Sequence, residues 1–260
     1  MGEKTAIAWT ESTHNFWVGC RKVSQGCKHC YAERQMTRYG RDFRTVTRVK
    51  SFDAPLHWKE PRMIFVNSWS DFFIEEADLW RADAWEVIRR TPQHTYQVLT
   101  KRPELIAACL PRDWGDGWPH VWLGTSVESQ GCEGRLDDLA RVPAAVRFVS
   151  AEPLLGPLDL RPWLRRGAVD WLIVGGESGP KARPMDMAWA RSLRDQTVEH
   201  GVSFFFKQQS GPYAGIRPYI VETDGSETAW QQMPERVHPL PTMANQPPTR
   251  CCYWRPRCAT

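Results

Sequence analysis

A chain of 260 residues with 34 basic and 30 acidic side chains is long enough to bury a substantial core without disulfide staples. Its net charge of +4 is too mild to name nucleic acid as a partner, though it permits one. Eight cysteines at this length do not describe a secreted disulfide scaffold, Met1-Gly2-Glu3-Lys4 leads into no apolar signal segment, and no run approaches the ~18 apolar residues of a membrane span, so a cytoplasmic protein with reduced thiols and no membrane is expected.

Residues 5–18 read as a lead-in and a first strand that ends at a cysteine loop, Trp17-Val18-Gly19-Cys20 through Gly26-Cys27-Lys28-His29-Cys30-Tyr31. Cys20, Cys27 and Cys30 follow a C-x6-C-x2-C spacing, with Gly19 and Gly26 just ahead of the first two. Thiolates are soft ligands that select zinc, Cu(I) or iron–sulfur clusters. A Cys-x-x-Cys pair converges on one centre, and six intervening residues let the loop return with a third sulfur. Three ligands is the informative count, because a structural zinc site closes with four and a reactive centre keeps one position open. Zinc with His29 or His14 as a fourth ligand is the competing expectation, although His29 lies between two of the cysteines.

The spacing predicts a helix over 31–39, capped by Gly40, and a polar connection over 41–60. Residues 62–66 form a compact apolar strand, and Trp80, Ala84, Val87 and Ile88 recur at helical spacing until Thr91-Pro92. The grammar then repeats. Strands are predicted over 95–99, 121–124, 146–149, 171–174 and 203–206; Pro103 opens one helix, and Asp186 caps another that Gly201 ends. The strand ends near 66, 99, 124, 149, 174 and 206 are 33, 25, 25, 25 and 32 residues apart, the length of strand–helix units. Strands apolar throughout, alternating with helices, imply an α/β fold with a parallel sheet buried on both faces. Fourteen tryptophans point chiefly to core filling, with base stacking a minor use.

In such folds the polar residues just past the strand C-termini line the active site. Helix capping and turn formation account for most serines and threonines there. They account less well for Asp71, Lys101, Arg102, Glu128, Glu152 and Glu177, all drawn towards one rim. The cysteine loop also follows a strand and belongs to that rim. A zinc ribbon needs no six further units converging on it, whereas a cluster enzyme does, which favours the cluster. Cys109 and Cys132 are expected to be inert thiols. From residue 211 prolines and polar residues dominate, and 242–260 has no periodic pattern, so domains of 1–210 and 211–260 are expected, the second an irregular extension and flexible tail. Vicinal Cys251 and Cys252, with Cys258, make poor ligands for an auxiliary cluster.

The loop from Gly19-Cys20 to Tyr31-Ala32-Glu33-Arg34 resembles that of radical S-adenosylmethionine (SAM) enzymes. With Ile64-Phe65-Val66-Asn67-Ser68, Gln97-Val98-Leu99-Thr100-Lys101-Arg102-Pro103, Val149-Ser150-Ala151-Glu152-Pro153-Leu154-Leu155-Gly156, Val174-Gly175-Gly176-Glu177-Ser178-Gly179 and Phe204-Phe205-Phe206-Lys207-Gln208, the chain is similar to the phage-associated three-cysteine family of radical-SAM-like proteins. The resemblance covers roughly residues 5–210. It implies a partial (β/α)6-type parallel barrel with a C-terminal irregular extension. It also implies a 4Fe-4S cluster on Cys20, Cys27 and Cys30, with SAM on the iron left open. An electron from an external donor would cleave SAM to methionine and a 5′-deoxyadenosyl radical, which abstracts hydrogen from a substrate.

Three departures shape the other assignments. The first cysteine interval is six rather than the familiar three, and His29 stands where that motif usually has an aromatic residue beside the cofactor. The Gly-Gly-Glu that binds the SAM amino group usually follows the second strand; here Asn67, Ser68 and Asp71 stand there, and Gly175-Gly176-Glu177 comes much later. The amino-group contact is therefore expected from the Asn67–Asp71 turn. Ser150, Glu152 and Glu177 are expected at the cofactor, and Gly175 and Gly176 are expected to give a ligand backbone clearance. Lys101, Arg102 and Lys207, with Glu128 beside them, are expected to bind an anionic, nucleic-acid-related substrate. The alternative is that these cations pair with Asp71, Glu128 or Glu152. Two other functions remain open: a zinc-stabilised nucleic-acid-binding module using Lys22, Lys28, Arg34, Arg38 and the tryptophans, and an inactive barrel serving a phage as an interaction protein. The oligomeric state is left open.

Overall fold

A computed structural model describes residues 4–235. The tail expected from residue 242, with Cys251, Cys252 and Cys258, lies outside the described residues. The lead-in reaches β1 (Ser12–His14) and β2 (Trp17–Val18), and the cysteine loop then passes into α1 (Tyr31–Arg38) and β3 (Thr47–Arg48). Five units follow: β4 (Met63–Val66) with α2 (Asp78–Arg89), β5 (Thr95–Thr100) with α3 (Ile106–Cys109), β6 (Val121–Ser126) with α4 (Gly134–Ala140), β7 (Val146–Ala151) with α5 (Arg161–Leu164), and β8 (Trp171–Gly175) with α6 (Met187–Glu199). Then come β9 (Ser203–Gln208), β10 (Ile220–Val221) and β11 (Glu227–Thr228).

Seven strands form one parallel sheet in the order β1-β4-β5-β6-β7-β8-β9. Each new strand joins the same edge, so the order never reverses, unlike a doubly wound sheet. Right-handed crossovers of one sense place the helices of these units on one face, which curls the sheet into a half-barrel, whereas α1 packs in a small core of its own with the cysteine loop. Side-chain alternation divides the two faces. Ile64, Val66, Val98, Leu123, Leu172, Val174, Phe204 and Phe206 point out under Trp85, Ile88, Leu139 and Leu193 of the helices. Met63, Phe65, Trp122, Phe148, Trp171, Ile173 and Phe205 point inward, where Trp9 of the lead-in joins them. Trp171 is the hub of that interior, with ring centroids 5.8–6.2 Å from Trp9, Trp122, Phe148 and Phe205. Gly124 interrupts β6 because the Phe148 ring lies over it; a Cβ there would stand 2.5 Å from the ring.

The parallel half-barrel matches the expected architecture, and the lead-in strand plus six repeated strands make the seven. Residues 5–18 differ from expectation in one respect. Only Ser12–His14 joins the sheet, and Trp17–Val18 turns away to pair antiparallel with Thr47–Arg48. That departure lifts the cysteine loop off the sheet and lays it across the rim. Residues 211–235 are more ordered than their composition suggests. β10 and β11 pair antiparallel, Ile220 is buried, and Trp230 packs edge-on against Phe204. Among the described residues no helix is long and apolar enough to cross a membrane.

Candidate functional site

Every rim residue singled out from the sequence stands at or just past the C-terminal end of a sheet strand. What the sequence does not reveal is what those residues hold. Three carboxylates from three strand ends each support a different part of the cysteine loop, Glu128 and Glu177 by direct bonds and Asp71 through Arg102.

Asp71, after β4, is buried and accepts from the Thr100 hydroxyl at 2.7 Å, the amides of Phe73 and Lys101 at 3.0 Å, and the Arg102 guanidinium at 3.1 Å. Arg102 donates onward to the Arg21 carbonyl at 2.9 Å and reaches Cys20 Sγ at 3.9 Å. Glu128, after β6, accepts from the Ser24 hydroxyl at 2.9 Å and pairs with Lys101 at 3.1 Å and Arg135 at 2.9 Å. The loop sits directly on this carboxylate, since a Cβ on Gly26 would stand 2.3 Å from its Oε1. The Ser24 hydroxyl is also 3.9 Å from Cys27 Sγ. Glu177, after β8, meets His29 Nδ1 at 2.9 Å and accepts from the Arg183 amide at 2.8 Å and its Nε at 2.9 Å. Arg183 reaches back to the Gln25 carbonyl at 3.1 Å.

Two backbone features complete the cradle. Gly19, at φ +97°, stands where a Cβ would be 2.3 Å from the Thr45 carbonyl, so only glycine lets the chain pass. Its amide donates to the Trp69 carbonyl at 3.1 Å, and the Tyr31 hydroxyl donates to the Ser68 carbonyl at 2.6 Å, tying both ends of the loop to the turn after β4.

Each of the three thiols has its own polar neighbour. Burial pushes Cys20 up to about 12, and the nearby Asp71 carboxylate adds to this while Arg102 opposes it. Burial also raises Cys30, against the backbone amides of Glu33 and Ala32, which favour its thiolate. Cys27 is near enough to both for its charge to oppose their ionisation. Incoming metal must therefore displace protons from these sulfurs. Among the described residues no three His, Cys, Asp or Glu side chains converge on a point that would hold a single metal ion. Zinc would require sulfurs gathered at about 2.3 Å from one centre. A polynuclear cluster takes each thiolate on a separate iron, and three soft thiols from one loop are donors of the kind that either zinc or such a cluster takes. His14, the alternative zinc ligand, is instead a core residue. Its Nε2 lies 3.1 Å from the Phe52 carbonyl, and burial lowers it to about 4.

Several expected contacts are corrected. Lys101, Arg102 and Lys207 take the alternative partners: they pair with Glu128 at 3.1 Å, Asp71 at 3.1 Å and Glu152 at 2.9 Å. Glu128 faces Ser24 of the loop, Lys101 and Arg135. Asp71 already takes four donors, which leaves it no role as the amino-group acceptor, and the Ser68 hydroxyl accepts from Asn15 at 3.2 Å. Asn67 remains distinctive, held at φ +54° by the Phe16 amide on its Oδ1, with its buried Nδ2 lacking a hydrogen-bond partner among the described residues. The space beside Gly175 is filled by the Glu152 carboxylate, and that beside Gly176 by Ser210, so their clearance serves protein groups. Ser150 donates to Glu152 at 3.3 Å, forming a small network with Lys207.

For Glu177, burial alone would raise the carboxyl, but Arg183 and His29 override it and hold it at about 2. Burial would raise Glu128 too, and Lys101, Arg135, Cys132 and Ser24 together keep it below the usual carboxylate range. Ser24, Arg135 and Arg183 were not singled out from the sequence. One signal was available for the first: Ser-Gln-Gly-Cys occurs at 24–27 and again at 129–132. Both copies fold into the same 3-10 turn, and the Ser24 and Cys132 side chains both bond Glu128.

A family model described as a protein of unknown function, DUF5131, matches residues 4–234. Neither a search of curated proteins nor one of solved structures finds a match.

Proposed function

The chain belongs to the DUF5131 family, whose function is not established, and we propose that it is a radical SAM enzyme whose four-iron cluster is held by Cys20, Cys27 and Cys30. The observation that carries this reading is that two of the thiols have donors, Arg102 for Cys20 and the amides of Ala32 and Glu33 for Cys30, while the Ser24 hydroxyl, which donates to Glu128, lies 3.9 Å from Cys27 Sγ. Hydrogen bonds of this kind stabilise thiolates and tune cluster potential. A structural zinc loop has no need of a buried guanidinium anchored by a buried carboxylate, as Asp71 anchors Arg102.

Bound there, the cluster would supply reductive cleavage of SAM, with an external donor providing the electron. The protein's own part is to hold the loop in one geometry. Asp71 fixes Arg102 against Cys20, Glu128 seats the loop at Ser24 and Gly26, and Glu177 with Arg183 secures His29 and Gln25. Three cysteines leave one iron for SAM, and in the neighbouring turn the buried Asn67 amide nitrogen has no hydrogen-bond partner among the described residues.

The test is anaerobic incubation of the reduced protein with SAM, followed by chromatography. 5′-Deoxyadenosine is the expected product, formed slowly even without substrate. S-adenosylhomocysteine alone would indicate methyl transfer. No cleavage despite a verified cluster would indicate the inactive barrel.

A further inference from the structure

The charge of this chain is not spread evenly. Residues 21–44, which hold the cysteine loop, α1 and the start of the following connection, contain seven cations and two carboxylates. That segment carries net +5 against +4 for the whole chain, so the remaining residues together carry −1. All seven cations are exposed. Both carboxylates are already engaged: Glu33 pairs with Lys22 at 2.6 Å, and Asp42 accepts from the Arg44 amide and the Thr45 hydroxyl. Arg38, Arg41 and Arg44 form no ion pair among the described residues.

The segment also has a cleft and an aromatic platform. A cleft of about 290 Å³ runs between the loop and the connection, with Cys20 and Phe43 in its wall and Arg21, Lys22, Glu33 and Arg44 around it; Arg21 pairs with Glu76 and Lys22 with Glu33, which leaves Arg44 as its cation without an ion pair among the described residues. Tyr39, at the end of α1 and 68% exposed, stacks on Trp69 with ring centroids 6.2 Å apart and planes at 24°. Trp69 packs on the same small core as Phe43, so platform and cleft share one foundation.

We infer that this outer face of the cysteine loop binds single-stranded nucleic acid. The backbone would follow Arg38, Arg41 and Arg44 past the cleft at Cys20, and a base would stack on Tyr39. Exposed cations interleaved with an open aromatic ring are the chemistry of single-strand binding. A folded acidic protein would match the charge but gives no use to a stacked, exposed tyrosine. That the bound strand is the substrate rests on the function proposed above; the binding does not.

The experiment is fluorescence anisotropy with a labelled oligothymidylate at several salt concentrations, on full-length, anaerobically purified protein. Wild type should bind at low salt. The Arg38→Gln/Arg41→Gln/Arg44→Gln variant should lower the salt slope by about 2, since each phosphate contact on a single strand contributes about 0.7. Arg141→Gln/Arg165→Gln/Arg166→Gln, an equal charge loss at exposed sites elsewhere, should leave the slope nearly unchanged. Tyr39→Ala should weaken oligothymidylate at least about fivefold, with little effect on an abasic strand of equal length. The inference is overturned if wild type does not bind at low salt, or if the two triple variants lose equally. It is also overturned if Tyr39→Ala has no effect while polyglutamate competes as well as the oligonucleotide, which would mark an acidic protein partner. Iron and sulfide content, measured on the same preparations, reports separately on the cluster.

Discussion

Arg102 is the residue whose role changes most between sequence and structure, and its replacement by methionine is a sharp test of the rim geometry. The guanidinium is nearly buried and bridges the Asp71 carboxylate to the Arg21 carbonyl and Cys20. Removing one partner of a buried ion pair costs about 3–5 kcal/mol, because the other charge stays buried without compensation. Asp71 would keep its bonds from Thr100, Lys101 and Phe73, which sets the expected loss at the low end, about 3 kcal/mol. For a chain of this size that is a fall in melting temperature of roughly 6–12 °C. Asp71→Asn leaves the guanidinium beside a neutral amide, and the double variant should be less damaging than the two single losses added, by about 2 kcal/mol. Urea unfolding of the metal-free protein, followed by circular dichroism, measures all three. A loss below about 1 kcal/mol for Arg102→Met, or strict additivity across the cycle, would show that the contact does not fasten the loop.

Two pH effects are expected, one from the rim and one from the core, with opposite physical origins. Glu177 has a folded value of about 2, below its ordinary 4.5, so its contribution is present above pH 4.5 and lost as pH falls towards 2; Glu177→Gln should flatten that part of the acid-unfolding curve. His14 is held neutral at about 4 against an ordinary 6.5, so the unfolded chain takes up its proton first and stability falls as pH drops from 6.5 to 4; urea midpoints across that window should lose part of this slope in His14→Asn. In the interior, Gly124→Ala drives a methyl into the Phe148 ring and should cost about 1–3 kcal/mol in thermal unfolding; a neutral result would mean the ring moves aside freely.

The fold was largely legible because its signals are local. Strands such as Met63–Val66 and Trp171–Gly175 are apolar from end to end, and their even spacing conveys a singly wound parallel sheet. Sequence also placed Asp71, Glu128 and Glu177 on one rim, since strand ends converge there. It could not convey direction. Glu128, which pairs with Lys101, also seats Ser24 of a loop 104 residues away in sequence, and the loop comes over the rim as Trp17–Val18 leaves the sheet to pair with Thr47–Arg48. Two-residue strands carry no periodicity by which to recognise them. Hence Arg102 and Glu128, expected to face a substrate, hold the cysteine loop, and Lys101 and Lys207 pair with carboxylates of the rim. Arg183 escaped notice for the same reason, since its partners Glu177 and Gln25 meet only in the folded chain.

The central claim is that Cys20, Cys27 and Cys30 together hold one iron–sulfur cluster. Its most direct test is chemical analysis of iron and acid-labile sulfide in protein isolated and reconstituted without oxygen, beside the Cys20→Ala/Cys27→Ala/Cys30→Ala variant. Wild type should hold about four irons and four sulfides per chain and absorb near 400 nm (roughly, the sulfur-to-iron charge-transfer region), and the variant should lose them together. Stoichiometric zinc in wild type, or iron and sulfide retained by the triple variant, would contradict the claim.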